Sequence, residues 1–171
     1  MIDYKVAFRE GLTAAEKADM ARKEIDSVFE QLNHEISEAS DGKIVIERQT
    51  FYVPDTRNEV IQAFDAITSF PNQPKRPTYL AIAARNPTIP DGPVKELASW
   101  STDRKGYPCN ISWEGKTQFC EDKEALEEAL AELLRDPIVG QKLYALTKLE
   151  PPTEEETNNP AQQDDVADPE D

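Results

Sequence analysis

The sequence predicts an α+β fold: a largely antiparallel sheet with a long N-terminal helix and two C-terminal helices packed on one face. A disordered acidic C-terminal tail is expected to follow. Three observations carry this expectation. Ala21, Ile25, Val28, Phe29, Leu32, Ile36 and Ala39 recur at steps of three and four, which places them in one apolar stripe along a helix. Between Lys95 and Cys120, short alternating segments are separated by tight-turn residues, the pattern of an antiparallel meander. After Asp122, and again after Asp136-Pro137, apolar residues return at helical spacing behind a good N-cap.

Taken in order, Tyr4, Val6 and Phe8 alternate with polar neighbours and predict a half-buried strand that Gly11 ends. Thr13-Ala14-Ala15-Glu16 has the layout of a capping box, so the helix is expected over about 14–40. Asp41-Gly42 supplies its stop, with Gly42 free to take a left-handed conformation. Lys43 to Val53 is rich in β-branched and aromatic residues and predicts a long strand. A second capping box, Thr56 to Glu59, introduces a short helix carrying Val60, Ile61, Phe64 and Ile67, before a proline-rich loop. Thr78 to Arg85 is apolar on both faces, as an interior strand is, and a second proline-rich connection leads to Lys95–Asp103. Turns at Arg104–Pro108 and Glu114-Gly115 complete the meander. The last two helices follow, one with Ala125, Leu126, Ala129, Leu130, Leu133 and Leu134, the other with Val139, Leu143 and Leu146 inward.

The chain has 171 residues, with 19 basic and 34 acidic side chains and a net charge of −15. Nine of the acids lie in 150–171, which holds no Lys or Arg, four prolines and only Val166 as a larger aliphatic residue. Such a stretch has too little apolar surface to offset its ordering entropy. The expected organisation is therefore a single domain over 1–149 and a disordered tail over 150–171. This charge disfavours binding to duplex DNA or an anionic membrane, both of which select excess Lys and Arg. No apolar run is long enough to span a bilayer. The start of the chain lacks the basic-then-apolar layout of a signal peptide, so a cytoplasmic location is expected.

If Glu114-Gly115 is a two-residue turn, Trp113 faces Lys116, Ile111 faces Gln118, and Cys109 faces Cys120. The pair would then occupy a hydrogen-bonded site, whose spacing suits a disulfide poorly, and a cytoplasmic setting keeps thiols reduced. Free thiols are expected. Two cysteines do not make a zinc site. The single histidine, His34, falls in the row Glu30–His34–Glu38, off the apolar stripe, where a solvated face is expected rather than a metal site.

Nucleophilic triads need a base that titrates near neutrality, and only His34 is available. Phosphate-cradling glycine loops and metalloprotease motifs do not occur, and glycine is scarce at six residues. No catalytic residue, cofactor or metal is implied, although a small enzyme using carboxylates or the cysteines is a remaining alternative.

Trp100, Arg104, Lys105, Tyr107 and Trp113 form the one basic and aromatic concentration and are the candidate binding residues. Protein interfaces favour Trp, Tyr and Arg. Single-strand nucleic-acid binders combine stacking aromatics with cations that track phosphates. The plain alternative is that both tryptophans belong to the core and Arg104-Lys105 to a solvated turn. The tail is similar in composition to the acidic tails of bacterial and phage single-stranded DNA-binding proteins, but it ends Pro169-Glu170-Asp171 without their apolar terminal residue. The leading expectation is a non-catalytic cytoplasmic interaction module, such as an adaptor, inhibitor or immunity-type protein, that binds a basic protein partner through acidic charge and aromatic contacts. The alternative is a single-stranded nucleic-acid binder with a regulatory tail.

Overall fold

The structure, a computed structural model, describes residues 2–54 and 77–150. The short helix expected after Thr56 and the acidic tail from 151 onward lie outside the described residues. Helix α1 (Tyr4–Ala39) leads into strands β1 (Val45–Tyr52), β2 (Thr78–Arg85), β3 (Lys95–Asp103), β4 (Gly106–Trp113) and β5 (Lys116–Cys120). Helices α2 (Lys123–Arg135) and α3 (Pro137–Thr147) follow. The strands form one antiparallel sheet in the order β1-β2-β3-β4-β5, and the helices pack on it, as the sequence predicts. Among the described residues, no helix is long and apolar enough to cross a membrane.

The N-terminal strand is a correction. Tyr4–Arg9 is the first part of α1, whose 36 residues make it about 54 Å long at 1.5 Å per residue. Asp3 is its N-cap: the carboxylate accepts from Lys5 N–H at 2.9 Å and from Val6 N–H at 3.4 Å. Tyr4 and Phe8 stand four residues apart, so these two members of the alternating set also share one side of a helix, while Val6 falls on the other. Gly11 therefore lies inside the helix, and so does Thr13 with its capping-box pattern. The other end is where the sequence places it. Asp41 and Gly42 take φ of 52° and 72°, and Gly42 N–H donates back to Ser37 O at 2.8 Å.

Register explains which side chains are inward. Ile46 stands opposite Ala84, Ile82 opposite Ala98, Leu80 opposite Trp100, and Trp100 opposite Ile111, so these residues share the helix-bearing face. Ile25, Val28 and Phe29 of α1, Leu126, Ala129, Leu130 and Leu133 of α2, and Val139 and Leu146 of α3 close over all of them but Leu80, which stays exposed. The register shifts between Ile82 and Ala83, so that Ala98 and Glu96 take consecutive partners and Leu97 is left over as a bulge, buried in the core.

Polar side chains fix the helices on this sheet. Asn33 of α1 pairs with both backbone groups of Ile46, donating to its carbonyl at 2.6 Å and accepting its N–H at 2.7 Å. Buried Asn86, just after β2, donates to Leu146 O at 3.1 Å and accepts from Thr88, tying that connection to the end of α3. Asp122 caps α2 through Ala125 N–H, and Asp136 caps α3 through Ile138 N–H, with Pro137 at the tolerated first position. Burial pushes the Asp136 carboxyl up, but the Ile138 N–H, the Lys116 ammonium and the Val139 N–H outweigh it and hold it below its ordinary value.

Candidate functional site

The meander residues separate into two groups. Trp100 and Trp113 are each only 4% exposed. The Trp100 ring meets Phe29 edge-to-face at 5.6 Å, and the Arg48 guanidinium lies 4.8 Å from the Phe29 centroid and 5.6 Å from that of Trp100. Lys116 Nζ sits 5.9 Å from the Trp113 ring. Both indoles are thus occupied within the domain, and neither offers a face for stacking. Tyr107 is half-buried against the core, and burial, then the Glu24 carboxylate, pushes its phenol up to about 12. The Tyr107 hydroxyl and both indole N–H groups are buried with no hydrogen-bond partner among the described residues.

Arg104 and Lys105 are the exposed remainder, held by an Asp103 carboxylate that accepts Lys105 N–H at 2.8 Å. The fold brings two further arginines beside them. Arg22 of α1 donates to Arg104 O at 3.1 Å, and Arg48 of β1 is ion-paired to Asp26. Arg22, Arg48 and Arg104 line a shallow depression together with Ile25, Asp26, Thr102 and Asp103. Three guanidinium groups against two carboxylates make it only weakly basic. Arg22 and Arg48 are far from the turn in sequence, and no local pattern links them to it.

A second concavity of about 260 Å³ runs between α1 and α2. Val28, Leu32, Leu130, Ala131 and Leu134 form its floor, and Gln31, Glu35 and Glu127 line it. Val28 and Leu130 are buried, Leu32 and Leu134 half-buried, and both glutamates exposed. Gln31 Nε2 donates to Glu35 Oε1 at 3.0 Å, and Lys123 Nζ lies 3.5 Å from Glu127 Oε1. Each glutamate borders an apolar stripe visible in the sequence. That the two stripes meet is a tertiary fact with no local signal.

Cys109 and Cys120 are direct cross-strand partners, as the turn arithmetic requires, and both are free and fully buried. Burial, with Cys120 beside it, pushes the Cys109 thiol up to about 12, and burial also raises Cys120. Native protein at neutral pH is expected to be unreactive toward Ellman's reagent, with two thiols appearing on denaturation. A fast-reacting native thiol would contradict this burial. Among the described residues, no group of three or more His, Cys, Asp and Glu side chains is placed to hold a metal ion. His34 lies exposed, 3.7 Å from Glu38.

Comparison with known proteins finds no matching family model, no similar curated protein and no similar solved structure.

Proposed function

We propose that the chain is a non-catalytic cytoplasmic interaction module whose α1–α2 groove takes a basic, amphipathic segment of a partner protein. The observation that supports this reading most is the pairing of an apolar floor with an acidic rim. Half-buried Leu32 and Leu134, above buried Val28 and Leu130, supply the area that would be desolvated. Glu35 and Glu127 supply complementary charge beside it, and the excess negative charge of the whole chain speeds encounter with a cationic partner.

The second reading, single-stranded nucleic acid at the basic turn, draws on Arg22, Arg104 and Lys105. It lacks a stacking platform, because Trp100 and Trp113 are committed to the core.

A fluorescein-labelled helical peptide of Leu and Lys at heptad spacing serves as a probe. Full-length protein is expected to bind it, with affinity falling as salt rises. The double substitution Glu35→Lys/Glu127→Lys is expected to weaken binding roughly tenfold, the scale of two reversed rim contacts. Leu134→Asp should weaken it further by placing a charge in the floor. Binding that ignores both salt and these substitutions would remove the groove from consideration. Preference for a labelled oligothymidylate lost on Arg104→Ala would favour the second reading instead.

A further inference from the structure

The first half of α1 leaves the domain. Every residue from Ile2 to Lys17 is exposed, and Ala18 is the first to be buried. At 1.5 Å per residue, the exposed part of the helix extends about 20 Å from that first contact. Tyr4, Phe8 and Leu12 follow one another at four-residue steps and are 78%, 67% and 51% exposed. Ala15 continues their side of the helix. A row of aromatic and aliphatic side chains on a helical segment exposed throughout is a surface awaiting a partner.

We propose that this arm is a homodimerisation element that pairs antiparallel with the same arm of a second copy. Charge favours a second copy over other occupants. The chain as a whole carries −15, which opposes self-association. The arm is balanced: Lys5, Arg9 and Lys17 match Asp3, Glu10 and Glu16. With zero local net charge, it adds no like-charge repulsion of its own between copies.

The pattern is also self-complementary. On a helical projection, Lys5 and Glu16 flank the Tyr4–Phe8–Leu12 row on the same side. In a two-fold antiparallel pair the same flanks meet. A register that sets Lys5 against Glu16 of the other copy places Phe8 of each copy near Leu12 of its mate, and it forms the ion pair twice. A parallel pair would instead set this flank against the opposite flank of the second copy, and Lys5 would not meet Glu16.

The area suffices. A buried Phe or Tyr contributes roughly 150–250 Å². Two copies supply four such rings and two leucines, so the seam reaches on the order of 1,000 Å², the scale of a specific interface. Val6 and Met20 lie on the far side of the helix and stay outside it.

Sedimentation velocity and light scattering on the full chain test this. The mass is expected to move from one copy toward two as concentration rises through the micromolar range. Phe8→Asp should weaken dimerisation by roughly two orders of magnitude, since it removes two central anchors. Near-UV circular dichroism of Trp100 and Trp113 should be unchanged, showing that the body remains folded. Lys5→Glu should weaken association and Lys5→Glu/Glu16→Lys should restore it, a rescue that only the antiparallel register predicts. Amide exchange over 5–16 should slow with concentration in the wild type and not in Phe8→Asp.

A single-copy mass at every concentration overturns the proposal, whether the arm is then found covered by the chain's own residues or bound to phosphatidylserine vesicles. So does a dimer indifferent to Phe8→Asp.

Discussion

Trp100→Ala is expected to lower the free energy of unfolding by about 3–5 kcal/mol, the range for truncating a large buried aromatic. The indole is 4% exposed and stands between Leu80 and Ile111 in register, with Phe29 against its edge. Truncation leaves a void under α1 that neither the sheet nor a 36-residue helix can close by a local shift. It also strips the Arg48 guanidinium of one of its two aromatic platforms, leaving Phe29 and the Asp26 ion pair. Trp100→Phe is the informative companion. The indole N–H has no partner among the described residues, so losing it forfeits no hydrogen bond there, and the smaller ring should cost only about 1–2 kcal/mol. Urea titration followed by far-UV circular dichroism, with m unchanged, gives both numbers. A loss below about 1 kcal/mol for the alanine variant would mean that this ring is not part of the core.

That role was readable in part. Ala98 and Trp100 alternate with Ser99 and Ser101, and Cys109, Ile111 and Trp113 alternate with Asn110 and Ser112. The period-two pattern therefore already assigns both tryptophans to the apolar side of their strands. Grouping them with Arg104 and Lys105 as one surface runs against that pattern, because residues close in sequence on a strand need not share a face. The β4–β5 register was fully legible, since a two-residue turn at Glu114-Gly115 fixes every pair back to Cys109 and Cys120.

The start of α1 was not legible in the same way. Six residues from Tyr4 fit either period, and the Asp3 cap lies upstream of the stronger-looking box at Thr13. The arm is also exposed throughout, so no burial pattern marks it. For the groove, the glutamates beside each stripe were visible, but only packing decides that Glu35 and Glu127 border the same concavity. Local chemistry fixes caps, turns and faces; which two faces meet is fixed by the chain as a whole.

Gly106→Ala is expected to be the most damaging change of a single methyl group, at about 2–4 kcal/mol, because two penalties coincide. Gly106 opens β4 with φ of +96°, a region that costs an L-residue energy whatever space surrounds it. It is also where α1 lies directly on the sheet: an added Cβ would stand 2.7 Å from the Ala21 Cβ and 3.3 Å from the Ala21 carbonyl carbon and the Arg22 nitrogen. Two of these three neighbours are helix backbone, so relief requires moving α1 rather than turning a side chain. Gly115→Ala separates the penalties, since Gly115 has φ of +77° but nothing within 4 Å, and only the strain of about 1–2 kcal/mol should remain. Ala21→Gly tests the contact from the helix side. Alone it should destabilise by about 1 kcal/mol through helix propensity. Combined with Gly106→Ala it should recover part of the loss, giving a coupling energy of about 1 kcal/mol in a double-mutant cycle. Strict additivity would show that the helix does not rest on the strand at this point. The contact between Arg22 and the Arg104 carbonyl one residue away would then lose its support as well, for it depends on the same close approach.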